Sequence, residues 1–264
     1  MLEEKEWETL LVRQEGRTLF VTLNRPKARN AMTLQMVSEL EAVVDAVRDD
    51  RGVRALVLRG ADGHFCAGAD VKEVAAARMA PAKEGEEDPL VATNRRFGAV
   101  VTKFDRAPQA VLAVLEGAVM GGGLGLACVA DIAIARSDAR IRLPETGLGL
   151  PPAQIATFLV RRLGLSQARR LAVTGGELDG RQAQQIGLVH IVRDDSEALE
   201  AELARVLGQI DRCAPGAIAV TKELMLQVGS VEHEALLDRC ALSFAEAARG
   251  PEGVEGMMAF MQKR

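Results

Sequence analysis

Two apolar runs that each end in a turn of small residues constrain this chain most. The first, Arg54-Ala55-Leu56-Val57-Leu58-Arg59-Gly60, leads to Phe65-Cys66-Ala67-Gly68-Ala69-Asp70. The second, Ala110-Val111-Leu112-Ala113-Val114-Leu115-Glu116, leads to Gly121-Gly122-Gly123. Short aliphatic runs closed by turn residues read as strands. Two more strands are predicted at 9–13 and 18–23 around Gln14-Glu15-Gly16-Arg17, with Pro26 ending the second. Thr33 is a candidate N-cap, and Met36, Val37, Leu40, Val43, Val44 and Val47 follow it at helical spacing. Helices over 91–105 and 124–129 and a buried strand over 131–135 complete the pattern. Strands alternating with helices argue for βαβ units and a mainly parallel α/β arrangement.

From about residue 195 the pattern changes. Stretches 197–210, 215–228, 231–248 and 253–260 look helical, with no strand between them. The expected division is an α/β core over 1–195 and a helical region over 196–264. The apolar faces of those helices must be covered by the core or by another subunit. Residues 78–90 carry two prolines and an acidic cluster, which suits a loop over a site or plain surface equally well.

Bulk properties exclude several functions. A formal net charge of −4 gives no support to nucleic-acid binding, and 3% aromatic residues with no Tyr argue against a base-stacking surface. The four cysteines form no C-x-x-C and the three histidines are scattered, so no metal site is expected. The first residues are acidic and lack the apolar stretch of a signal peptide, and no run approaches the ~18 apolar residues of a membrane span. A cytoplasmic protein with no membrane partner is the expectation.

Small-residue turns after strands can bind dinucleotides, but the glycines at 121, 122, 123 and 125 with Leu126 do not fit G-x-G-x-x-G. Neither a G-K-[ST] loop nor a G-x-S-x-G elbow is present. The turns can instead form an anion hole, since N–H groups free of bulky side chains approach a ligand atom closely. Gly122 would open helix 124–129, where free N–H groups and the dipole favour negative charge, and Ala67 would supply a second donor. The same residues would also serve as tight packing turns. Glu145 follows a strand in the Gly/Pro-rich segment 144–152, where poor solvation would raise its pKa toward a range useful for acid/base work; a surface glutamate is the alternative.

At this point the residues resemble the enoyl-CoA hydratase/isomerase (crotonase) family. Asn24-Arg25-Pro26-Lys27-Ala28-Arg29-Asn30-Ala31 resembles its N-R-P-x-x-x-N-A segment, and residues 65–70 resemble its F-x-A-G-A-D turn. Residues 117–131 resemble G-x-x-x-G-G-G-x-x-L-x-x-x-x-D. Arg162-Leu163-Gly164, residues 174–187 and Glu255-Gly256 through Lys263 match further stretches in order.

The resemblance implies a crotonase-like spiral of ββα/βαβ units and a C-terminal helical trimerisation region, usually giving a homotrimer or a dimer of trimers. It implies an acyl-CoA thioester substrate, with coenzyme A arriving as part of that substrate and no separate cofactor. Ala67 and Gly122 would polarise the thioester carbonyl, with Glu145 as the catalytic acid/base. Lys27, Ala28, Arg29, Gly68, Ala69, Asp70, Phe260 and Lys263 match substrate- and CoA-binding positions.

One departure matters. A second catalytic glutamate belongs two residues after the glycine triplet, and this chain has Gly125 there. Hydration of a 2-enoyl-CoA is the favoured reading. The stretch 148–155, with Gly125, resembles the branched-chain subgroup that includes methylglutaconyl- and isohexenylglutaconyl-CoA hydratases. A Δ3,Δ2-enoyl-CoA isomerase needs only one base, and a CoA-binding scaffold without catalysis is a third reading. His64, Cys66 and Asp131 read as structural rather than chemical groups.

Overall fold

The computed structural model describes residues 2, 5–79, 85 and 87–262. The chain starts with β1 (Leu10–Glu15) antiparallel to β2 (Thr18–Leu23), and all later pairings of the main sheet are parallel. β3 (Ala55–Gly60), β4 (Ala110–Leu115), β6 (Ile132–Arg136) and β9 (Ile191–Arg193) follow, giving the order β1-β2-β3-β4-β6-β9. A second sheet joins β5 (Ala118–Met120), β7 (Arg140–Arg142) and β8 (Glu177–Leu178).

The continuous apolar character of β3 and β4 is explained by burial on both faces. Leu56, Leu58, Val111, Ala113 and Leu115 enter the main core with α1 (Leu34–Val47), α3 (Pro89–Asp105), α4 (Gly122–Val129) and α5 (Gln154–Thr174). The alternating residues Ala55, Val57, Ala110, Leu112 and Val114 face α7 (Ser196–Ile210), which inserts Leu199, Leu203, Val206 and Ile210. Thr33 caps α1 by accepting a hydrogen bond from the Met36 N–H, and the six apolar residues expected on that helix are all buried.

α7 therefore belongs to the core, although it lies beyond the expected boundary at 195. The part that stands off begins with α8 (Pro215–Gln227), followed by α9 (His233–Arg249) and α10 (Pro251–Met261). Lys222 of α8 fastens this part to the sheet by donating to the Gln109 carbonyl at 2.7 Å and to Asp131 Oδ2 at 2.6 Å. Asp131 also accepts from the Val111 N–H at 2.7 Å, which makes it a structural carboxylate as expected. Leu236 is the one buried residue that α8, α9 and α10 contribute, and Leu242, Phe244, Met257, Phe260 and Met261 are exposed.

α2 (Val71–Met79) follows the first small-residue turn, Asp88 caps α3 by accepting from Leu90, and α6 (Gly180–Gln185) lies between β8 and β9 in the chain. Of the 78–90 stretch, residues 80–84 and 86 lie outside the described residues.

Candidate active site

Backbone pairing brings the two turns together. Cys66 bridges to Val119 of β5, donating its N–H to the Ala118 carbonyl and accepting from Met120. β5 pairs in turn with β7, and the Gly121 N–H reaches the Arg142 carbonyl at 3.2 Å. Glu145 comes three residues after that carbonyl, so the same small sheet carries the glycine turn and the carboxylate side by side.

Gly121 marks where they converge. Its φ of 49° is open to glycine and strained for other residues. A Cβ built there would lie 2.7 Å from Glu145 Oε1 and 3.4 Å from the Gly68 Cα. The first turn, the second turn and the carboxylate thus meet at one point.

Gly121 is the N-cap of α4 and Gly122 its first residue. The Gly122 N–H consequently belongs to the set that no helical carbonyl can reach. In the first turn, Ala67 donates its N–H to the Arg29 carbonyl at 3.0 Å. That bond corrects the expectation that Ala67 faces the ligand. Met32 donates to the Gly68 carbonyl and accepts from the Asp70 N–H, which leaves the N–H of exposed Ala69 with no acceptor among the described residues. The available pair of donors is Ala69 and Gly122.

Glu145 begins a single 3-10 turn, Glu145–Leu148, whose backbone is closed by Gly149 and Leu150. Its Oε2 is buried without a hydrogen-bond partner among the described residues. Burial pushes the carboxyl above the ordinary range, partly offset by a hydrogen bond from its own backbone N–H. The expected poor solvation of this group is thus present.

The segment with the expected CoA-binding positions Lys27, Ala28 and Arg29 lies against the first turn. Lys27 and Ala28 sit in the 3-10 turn Pro26–Ala28, and Arg29 takes a left-handed conformation after it. Arg25 donates to the Ala31 carbonyl and pairs with Asp70 at 2.9 Å. Burial opposes ionisation of Asp70, but the Arg25 hydrogen bond and the Lys72 N–H prevail and hold its carboxyl below the usual range. Asp70 thus orders its own turn.

Phe260 is 85% exposed near the end of α10, which packs on α9, and Lys263 lies outside the described residues. In this chain Phe260 is open to solvent rather than enclosed in the site. His64 Nδ1 accepts from the Ala118 N–H at 3.1 Å, a structural role. Cys66 is fully buried, and burial pushes its thiol up to about 11, which suits packing rather than nucleophilic attack.

Sequence reasoning missed Phe97. This α3 residue covers both Gly122 and Gly125 from across the site, with Met32 beside it. A Cβ on Gly125 would meet Phe97 Cζ at 3.2 Å and Ile155 Cγ1 at 3.4 Å. The space above Gly125 is therefore filled by apolar groups.

Convergent backbone donors and one poorly solvated carboxylate suit chemistry that generates negative charge on a carbonyl oxygen. The sequence matches the enoyl-CoA hydratase/isomerase family over residues 13–264, and the chain belongs to that family of enzymes. It is 31% identical over 256 residues to the 2,3-dehydroadipyl-CoA hydratase of Escherichia coli K12, covering 97% of this chain and 96% of that one. Among solved structures it resembles Pseudomonas aeruginosa AtuE, with a TM-score of 0.94, 57% identity and coverage of 97% and 98% of the two chains. It also resembles an enoyl-CoA hydratase/isomerase from Marinobacter aquaeolei, with a TM-score of 0.95, 51% identity and 97% coverage of both. No helix among the described residues is long and apolar enough to cross a membrane.

Proposed function

We propose that the protein hydrates 2-enoyl-CoA thioesters, with Ala69 and Gly122 as the oxyanion donors and Glu145 as the acid/base. The convergence of Gly68, Gly121 and Glu145 Oε1 supports this reading most directly. Water would attack C3 as Glu145 removes its proton, and the alkene electrons would move onto the thioester oxygen. The two N–H groups would stabilise that enolate until Glu145 returns the proton to C2. Each donor contributes roughly 3 kcal/mol in comparable sites. No further cofactor enters the scheme.

Lys27, Ala28 and Arg29 would border the nucleotide end of coenzyme A. Phe260 and Lys263 would complete the site across a subunit boundary in a homotrimer or a dimer of trimers, in the cytoplasm. The resemblance of 148–155 to the branched-chain subgroup extends the proposal to 3-branched 2-enoyl-CoAs.

The filled space above Gly125 favours a second reading, isomerisation, because one carboxylate suffices to move a proton from C2 to C4. A panel of 2-enoyl- and 3-enoyl-CoAs, straight and branched, decides between them. Water addition to a 2-enoyl-CoA supports the hydratase. Deuterium wash-in at C4 without water addition would replace it with the isomerase. Inertness toward the whole panel would overturn both. Glu145→Gln should lower turnover by a factor on the order of 10²–10⁴ with the protein still folded.

A further inference from the structure

We propose that Phe97 is a specificity-determining residue that commits this site to a single carboxylate and forms the apolar wall beside the reacting carbons. The proposal rests on the reading that a thioester oxygen binds at the Gly122 N–H. A Cβ on Gly122 would lie 3.4 Å from both Cε2 and Cζ of Phe97, so anything bound at that N–H lies next to the ring. The same ring tip stands 3.2 Å from where a Cβ on Gly125 would be, closer than ordinary van der Waals contact. Phe97 and Gly125 therefore fit each other: a Cβ at 125 already requires the ring tip to give by a few tenths of an ångström, and a longer side chain would compete with the ring for the same space.

Gly125 lies one turn along α4 from Gly121, donating its N–H to the Gly121 carbonyl at 3.0 Å. Glu145 is at the Gly121 level, and Phe97 with Ile155 is at the Gly125 level. The groups nearest α4 are thus acidic at the Gly121 level and hydrocarbon at the Gly125 level. Phe97 and Ile155 offer no atom that could hold water or accept a proton, so both proton transfers pass through Glu145. The ring also limits the bulk accepted at C3 and favours acyl chains whose carbons there are apolar.

The test compares wild type, Phe97→Ala, Gly125→Glu and the double variant, measuring kcat and KM for straight and 3-methyl 2-enoyl-CoAs together with thermal unfolding. Gly125→Glu should lower both kcat/KM and the unfolding temperature. Adding Phe97→Ala should restore at least tenfold of the lost kcat/KM, a non-additive result. Phe97→Ala alone should shift the kcat/KM ratio of 3-methyl to straight substrate at least tenfold toward the branched chain, a readout that stands even if Gly125→Glu fails to fold. Strictly additive substitutions, or an unchanged ratio in Phe97→Ala, would overturn the assignment of Phe97 while leaving an active wild type. Absence of wild-type turnover on both 2-enoyl- and 3-enoyl-CoAs would overturn the thioester reading and this proposal with it.

Discussion

Glu145 carries opposite consequences for activity and for stability. In the folded state it binds its proton more tightly than in the unfolded chain, where the ordinary value is 4.5. As pH rises above that value the unfolded chain loses its proton first, so folding stability falls until the raised native value is passed. Beyond it the charged carboxylate remains a constant cost. Glu145→Gln is neutral throughout. It should therefore gain stability relative to wild type as pH rises from 4 to 8, measured by denaturant unfolding at each pH. Turnover should move the other way, since a base must be ionised. The acid limb of wild-type kcat should lie above pH 4.5, and no such limb should remain in the Gln variant.

At the scale of elements, the site depends on how tightly two glycine positions are packed. Gly123 stands behind the reacting face, where a Cβ would lie 2.7 Å from the Cβ of Cys66 and 2.9 Å from its carbonyl oxygen. The bridge between Cys66 and Val119 fixes that backbone. Gly123→Ala should destabilise by about 1–3 kcal/mol, the usual range for overpacking. Gly121→Ala adds strain at positive φ and meets Glu145 Oε1, so it should reduce kcat more than it reduces the unfolding temperature. Comparing the two variants in one melting and turnover series separates packing from chemistry.

Long elements with a clean apolar pattern, α1, β3 and β4, were legible in the sequence. β5, β7 and β8 have two or three residues each, too few for periodicity, and their pairing partners place them. α5 was not predicted because its apolar stripe is broken by Arg161, Arg162, Arg169 and Arg170, and Gly164 leaves helical geometry at φ 72° and ψ 162°. Glu145 and Gly122 were readable because turn composition and helix ends carry chemical meaning. The shift from Ala67 to Ala69 was not, since it depends on which N–H the Arg29 carbonyl takes. Phe97 was hidden because its role is a contact with glycines 25 and 28 positions further along the chain.

At the scale of the molecule, α8, α9 and α10 leave an apolar surface that one chain does not cover. Phe244 is 77% exposed and Phe260 85%, with Leu242, Met257 and Met261 also open. Large exposed patches of this kind mark association surfaces. Light scattering of the purified protein should give a mass of three or six chains. Phe244→Asp should shift it toward one chain and raise KM for acyl-CoA if the neighbouring subunit completes the CoA site. A monomeric wild type would remove the subunit boundary from the functional proposal.

The order of the main sheet, β1-β2-β3-β4-β6-β9, follows the order of the sequence. During synthesis, each strand leaving the ribosome finds its neighbour already made, and no later segment has to insert between earlier ones. Domains generally form from the N-terminus at the pace of translation, about 5–20 residues per second. The sheet can therefore lengthen one parallel strand at a time, with its most recent edge as the one that awaits a partner. That edge attracts aggregation while it waits. After β4 the wait is brief, about one to four seconds at that pace, because β6 begins only seventeen residues beyond the end of β4. After β6 it is longest relative to the strand it awaits: β9 contributes three residues, and the chain must first make the small sheet that holds Glu145. Glu145 is thus laid down before the main sheet is complete.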